Sequence, residues 1–227
     1  MIGTLLFDMD GLLVDSEPYW KLAEKSVFGA LGLQLDDELL RQVMGFRLNE
    51  VVQHWYRYQA WPNPNFTQTE NNIMDCMEAY MRKEAVALPG VMDSLEYVKQ
   101  KGYACALASS SSMRLIEAVV DKLNIRSYFD LLYSAEYEMY GKPHPGIFIT
   151  AASKLGSAPQ HCLVLEDSVN GVIAAKAARM LCVAVPEQEK QNDPKFSIAD
   201  YRLKSMAEFP GILEQINAKH NCENINN

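Results

Sequence analysis

Basic residues are in the minority in this chain: 21 Lys and Arg stand against 29 Asp and Glu, for a net charge of −8. Nucleic-acid binding needs a basic face, so no nucleic-acid partner is expected. A small anion stays open, because one Lys or a helix N-terminus can hold it. Cysteine is scarce and odd in number, and Cys76, Cys105, Cys162, Cys182 and Cys222 contain no CxxC pair. That spacing points to neither a zinc site nor a disulfide framework. Cys105 and Cys182 sit in apolar segments and read as small buried hydrophobes. Reduced thiols fit the cytoplasm. No apolar run approaches a membrane span, and no basic stretch leads into an apolar run with a small-residue cleavage site. A cytoplasmic protein with no membrane partner is therefore expected. Internal repeats and low-complexity tracts are also missing.

What is present is ordinary for a globular protein: 227 residues, 48% hydrophobic and 22% charged. That length suits one large domain, or a core plus a small second one. Residues 2–8, "IGTLLFD", read as a buried strand of a parallel sheet. From residue 17 to about 87 the pattern is helical throughout. Pro18 stands near a helix start, and Trp20, Ala23, Val27 and Leu31 follow at helical spacing, with Gly32 ending the helix. Two further helices, 36–44 and 48–59, are expected with a break at Gly45. A loop with two prolines comes next. The helix over 67–86 opens with Thr and Glu as its capping residues. After residue 90, helices alternate with short apolar strands at 103–109, 129–135, 162–167 and 181–186. Short joints between strand and helix imply right-handed parallel crossovers. The economical arrangement is a parallel α/β core with a helical insertion after its first strand. The polar tail from residue 218 is expected to fray.

The stretch "LLFDMDGLLVDSE" (5–17) places carboxylates at the end of an apolar strand, where an unpaired charge is costly. In open parallel sheets the working residues gather beyond the carboxyl ends of the strands. Asp8 and Asp10 stand at the first such end, Ser109 and Ser110 at the second, and Glu166 and Asp167 at the fourth. The loop after the third strand brings Lys142. Clustered carboxylates repel unless a proton or metal intervenes. An all-oxygen donor set with few histidines suits a hard ion, Mg²⁺ foremost. A hydroxyl, free backbone N–H groups and a lysine meet the needs of a phosphate. Together these features point to phosphoryl transfer. Asp8 and Asp10 share one strand face, and Gly11 lets both turn toward one pocket. One carboxylate could attack phosphorus while the other handles protons. Asp15 reads as a helix cap. Glu166 and Asp167 taken alone could equally be caps for the helix from Ser168. His144 between two prolines reads as turn chemistry, and His161 as a surface residue. Tyr19, Trp55 and Trp61 read as packing residues.

Four stretches in this order resemble the motifs of the haloacid dehalogenase superfamily: "DMDGLLVDS", "LASS", Lys142 in "GKPHP", and "LEDS". The resemblance spans almost the whole chain. It implies a Rossmann-like core over 1–16 and 88–227 and a small all-helical cap over 17–87. It assigns Asp8 as nucleophile and Asp10 as acid and base. Ser109, Ser110 and Lys142 would hold the phosphate. Mg²⁺ would be held by the Asp8 side chain, the Asp10 backbone carbonyl and Asp167, with Glu166 a further ligand, directly or through water.

Within the superfamily the chain resembles the β-phosphoglucomutase-like group. The mutases carry a His near the start of the first cap helix, where Trp20 stands here. Their second motif continues with groups that grip a second phosphate, where "SSSSMR" offers mainly hydroxyls. Both departures imply hydrolysis. The stretches "MGFRLNEVVQHWY" and "VPEQEKQNDPKF" resemble the bacterial hexitol and 2-deoxyglucose-6-phosphate phosphatases. That likeness implies a small phosphorylated sugar or polyol as substrate. Trp20, near the expected site, and Arg47, in the cap loop after Gly45, are candidate cap contacts, and a monomer is expected. The alternatives are a sugar phosphomutase and a non-catalytic sugar-phosphate-binding regulator.

Overall fold

The computed structural model describes residues 2–43 and 47–225. The break expected at Gly45 lies outside the described residues. The chain divides into two compact units, Met1–Asp15 with Ala85–Asn227, and Ser16–Glu84.

The first unit carries a six-stranded parallel sheet in the order β3-β2-β1-β4-β5-β6. The strands are β1 (Thr4–Phe7), β2 (Ala104–Ser109), β3 (Leu131–Ser134), β4 (Cys162–Glu166), β5 (Leu181–Ala184) and β6 (Tyr201–Arg202). Every residue of β1 and β4 is buried, as apolar strands covered on both faces must be. Phe7 pairs with Leu107 on one side and Leu165 on the other. The chain builds outward from β1 in one direction and then, from β4, in the other. The ends of β1 and β4 therefore flank the switch point where such sheets carry their sites.

The helices of this unit are α5 (Val91–Gln100), α6 (Met113–Lys122), α7 (Gly146–Lys154), α8 (Val169–Ala177) and α9 (Phe209–Ile225). Ile147, Phe148 and Ala151 of α7 and Val172, Ala174 and Ala175 of α8 join one buried cluster with Leu6, Ala106 and Val164. On the other face Phe7 meets Phe129 and Phe209 edge-on, with ring centroids 5.8 and 6.2 Å apart. Cys105 and Cys182 are buried thiols. Two elements differ from the sequence reading. β6 is a two-residue edge strand, and the tail expected to fray is helical to Ile225. Phe209, Leu213 and Ile216 are buried, and this apolar i, i+4, i+7 row anchors α9.

The second unit contains α1 (Glu17–Ala30), α2 (Asp37–Arg41), α3 (Leu48–Tyr58) and α4 (Phe66–Glu84). Its core sets buried rings among aliphatic and Met side chains such as Val52, Ile73, Met77 and Met81. Phe28 meets Trp55 and Trp61 at 6.5 and 6.0 Å, and Trp61 meets Tyr56 at 5.0 Å. Tyr19 stacks on Tyr80 and donates its hydroxyl to the Glu84 carbonyl. Two capping expectations are corrected. Asp15 is exposed and the N-cap position of α1 is Ser16. At α4 the Asn65 carboxamide oxygen accepts the Gln68 N–H at 3.1 Å. Asn65 reaches its third residue on, which Thr67, already inside the helix, has no means to do.

Candidate active site

The site is assembled from the strand ends. Just beyond β1, Asp8 has its N–H bonded to the Leu165 carbonyl of β4 at 3.0 Å. The sheet ladder thereby sets the direction of its side chain. The chain then turns tightly, with the Met9 carbonyl accepting the N–H groups of Leu13 and Val14. Gly11 makes that turn at φ +79°, and a Cβ there would stand 2.1 Å from Asp167 Oδ2. Glycine is required both for the positive φ and for the carboxylate it lies against.

Lys142 crosses from the loop after β3. Its Nζ lies 2.6 Å from Asp8 Oδ1 and 2.5 Å from Glu166 Oε1, and it also donates to the Ala108 carbonyl at 3.3 Å. The lysine side chain is 6% exposed, Asp8 8% and Glu166 not at all. At that depth the pair is held by direct contact and not by solvent. Burial works against the lysine's charge, but Asp8 and Glu166 outweigh it and hold the ammonium above its ordinary range. Burial pushes the Asp8 carboxyl up to about 7, with Lys142 pulling down and Glu166 and Asp10 pushing up. Asp167 is raised well above the usual carboxylate range, by burial first and then by Glu166 and Asp8.

Glu166 is fully engaged by protein groups. Its Oε1 takes Lys142, and its Oε2 accepts both the N–H and the hydroxyl of Ser168 at 2.9 Å. Ser168 is itself the N-cap of α8, accepting the Gly171 N–H at 3.0 Å. A Cβ at Gly171 would fall 1.7 Å from Glu166 Oε1, so the first turn of α8 can approach the carboxylate only as glycine. Capping of α8 thus falls to Ser168, and Glu166 is left to hold Lys142.

Asp10 meets the loop after β2. Its Oδ2 accepts hydroxyls from Ser109 at 3.1 Å and Ser111 at 2.8 Å. Ser109 is buried, and Ser110 is exposed with no side-chain bond to this cluster. Ser111 is therefore a site residue the sequence reading passed over. In a run of four serines nothing in composition tells which hydroxyl turns inward. His144 accepts the Gly146 N–H on Nδ1 at 3.2 Å, a turn contact. Trp20, half-buried on α1, and Arg47, exposed at the start of α3, belong to the helical unit.

The donor set fits a hard cation. One oxygen each from Asp8, Glu166 and Asp167 lies within 4.8 Å of the others. Asp167 Oδ1 is buried with no hydrogen-bond partner. An orphaned buried carboxylate oxygen is costly. One lysine does not balance this many carboxylates, and a divalent ion with oxygen ligands would.

The haloacid dehalogenase-like hydrolase family matches residues 5–185. The chain belongs to that family. It is 41% identical over 205 residues to hexitol phosphatase B of Escherichia coli K12, covering 90% of this chain and 92% of that one. A crystal structure of CbbY from Rhodobacter sphaeroides with xylulose-(1,5)bisphosphate superimposes with a TM-score of 0.82 at 29% identity, covering 92% of this chain and 96% of that one. A putative β-phosphoglucomutase from Thermotoga maritima gives 0.81 at 25% identity, over 95% of this chain and all of that one. The parallel sheet with its helices is the fold of these hydrolases. Membership in this family and the phosphatase name of its relative support a hydrolase of the phosphatase kind. No helix among the described residues is long and apolar enough to cross a membrane.

Proposed function

We propose that the protein is a cytoplasmic, monomeric, Mg²⁺-dependent phosphomonoesterase that hydrolyses hexitol phosphates, 2-deoxyglucose 6-phosphate or similar small phosphorylated polyols and sugars. The observation that carries this reading is the Lys142 ammonium held between Asp8 and Glu166 at buried strand ends, with Asp10 two residues beyond Asp8. A carboxylate nucleophile needs a neighbouring cation to receive an anionic ester. The same lysine that holds Asp8 would also meet a phosphoryl oxygen.

In the first half-reaction an Asp8 oxygen attacks phosphorus, the bond from phosphorus to the alcohol oxygen breaks, and Asp10 gives its proton to the departing oxygen. In the second, Asp10 takes a proton from water. The water oxygen attacks phosphorus, the acyl-phosphate bond breaks, and Asp8 returns as a carboxylate with inorganic phosphate released. Lys142 and Ser109 hold the phosphoryl oxygens, assisted by the exposed loop at Ser110. Glu166 keeps Lys142 in place. Asp8, the Asp10 backbone carbonyl and Asp167 would hold Mg²⁺, and Glu166, whose oxygens are taken by Lys142 and Ser168, would reach it through water. The ion supplies charge neutralisation and polarisation of phosphoryl oxygens. Recognition of the alcohol is assigned to Trp20 and Arg47 of the helical unit. The 41% identity to a hexitol phosphatase supports the substrate class.

The test is inorganic phosphate released from sorbitol 6-phosphate and 2-deoxyglucose 6-phosphate, with Mg²⁺ or with EDTA. Turnover is expected with Mg²⁺ alone, and Asp8→Asn should lower it by about 10³-fold or more. Wild-type release no faster than that of Asp8→Asn would end the hydrolase reading. The likeness to a putative β-phosphoglucomutase favours a mutase as the second reading. It would be recognised by a product that keeps its phosphate and by a need for a bisphosphate activator.

A further inference from the structure

We propose that Ser111 is the positioning residue for Asp10, holding one carboxylate oxygen so that the other is left for proton transfer. This inference rests on the acid and base role given to Asp10 above. Its starting point is the unequal treatment of the two oxygens. Oδ2 accepts two hydroxyl hydrogen bonds, from Ser109 and Ser111, while Oδ1 is buried without a partner. A carboxylate held on one oxygen by two donors has its rotation fixed, and Oδ1 becomes the oxygen that carries the proton.

The two serines differ in what they can do during turnover. A hydroxyl has one proton. Ser109 spends its proton on Asp10 and accepts the Ser111 N–H at 3.0 Å. If Ser109 turns its proton to a phosphoryl oxygen, Asp10 loses that bond, and Ser111 becomes its remaining hydroxyl donor. Ser111 is built to stay. Its N–H is bound to Ser109 Oγ, and its carbonyl accepts the Ser134 hydroxyl at 2.7 Å. Ser134, buried at the end of β3, is oriented in turn by the Glu136 N–H at 3.0 Å. The Ser111 hydroxyl is thus fixed from two neighbouring strands and aimed at Asp10. The electron and proton count of both half-reactions is unchanged. Ser111 neither gains nor loses a proton; it fixes which oxygen of Asp10 does.

The assignment separates steps that need Asp10 from the step that does not. Sorbitol is a poor leaving group and needs the Asp10 proton. The p-nitrophenolate ion leaves without one, yet hydrolysis of the phosphorylated Asp8 still needs Asp10 as base. For Ser111→Ala, kcat on sorbitol 6-phosphate should fall by about 10- to 100-fold, within the range general acid–base groups supply, with KM changed less than about 3-fold. With p-nitrophenyl phosphate the initial burst of p-nitrophenol should keep its wild-type rate, and the steady rate after it should fall. Ser111→Thr, which retains the hydroxyl, should recover most of the loss. Ser134→Ala, which frees the Ser111 carbonyl without touching Asp10, should give the same pattern at smaller amplitude. The role of Ser111 is overturned if Ser111→Ala keeps its kcat, if the change falls on KM alone, or if burst and steady rate drop together in both alanine variants. Wild type that releases no phosphate from either ester overturns the phosphatase reading instead.

Discussion

Lys142 shows at the residue scale why the site holds together without being a stabilising salt bridge in the ordinary sense. Exposed ion pairs contribute little. A buried cation shared by two buried carboxylates mainly offsets the cost of having buried them. Lys142→Ala would leave Asp8, Glu166 and Asp167 facing one another with no cation from the protein. In EDTA, urea denaturation of Lys142→Ala is expected to show a loss of about 3–5 kcal/mol, with Mg²⁺ recovering part of it. A variant as stable as wild type in EDTA would mean that the carboxylates take up protons without structural cost. The residue scale also shows what could be read in advance. Asp8, Asp10, Glu166 and Asp167 were legible because strand ends in a parallel sheet converge. Which carboxylate grips the lysine was not, because that choice depends on Gly171 letting α8 come within reach of Glu166. Ser111 was hidden for the reason given above, since the inward hydroxyl is selected by the backbone path after β2.

Elements carry their own titratable burden, and α1 is the clearest case. Glu24 lies on its buried face at 9% exposure, and its Oε2 has no partner. Burial pushes its carboxyl up to about 7, with Glu17 adding to the rise. The Trp55 indole N–H works the other way but falls short of hydrogen-bond geometry. The folded value lies above the ordinary 4.5, so the folded state holds the proton longer than the unfolded chain. Stability from protonated Glu24 is therefore complete below pH 4.5 and is lost as pH rises through about 7. The span corresponds to at most about 3 kcal/mol. Glu24→Gln should match wild type near pH 4 and exceed it by about 1–3 kcal/mol at pH 8. Taking the difference between the two proteins cancels the other titrating groups. A stability difference that is flat from pH 5 to 8 would show that Glu24 stays ionised in the fold. Periodicity announced α1 because Ala23 and Val27 fall on one face, but the same face admits Glu24, which no hydropathy pattern predicts. β6 escaped notice for the opposite reason. A two-residue edge strand has no period to detect, and the polar end of α9 outweighed its buried row.

At the scale of the whole molecule, the question is how an insertion of this size after the first strand leaves the sheet intact. The answer lies in how each unit closes on itself. In the first unit Val14 bridges Ala87, and the Leu88 N–H reaches the Leu13 carbonyl at 3.0 Å. The two crossings of the insertion are thereby pinned side by side by backbone bonds of the sheet unit alone. In the second, the Tyr19 hydroxyl ties the start of α1 to the Glu84 carbonyl at the end of α4. Phe28 also meets Trp55 and Trp61 inside this unit. In the sequence the insertion shows as a helical block that interrupts an otherwise regular alternation of strand and helix. The junctions at Asp15–Ser16 and Glu84–Ala85 leave no such mark, since backbone pairing has no side-chain signature. A sheet whose crossings already meet should not need the insertion in order to fold. A chain in which residues 16–84 are replaced by a short Gly/Ser linker should therefore keep near-UV circular dichroism and unfold cooperatively in urea, because closing so short a loop costs little. Two features of the wild-type site, the Asp8–Lys142 ion pair and the Ser111–Asp10 hydrogen bond, lie wholly within this unit. The shortened chain should accordingly retain Mg²⁺-dependent protection against thermal unfolding. Loss of cooperative unfolding would show that the sheet draws its stability from the helical unit, and retention of it without any Mg²⁺ effect would show that the carboxylate cluster does.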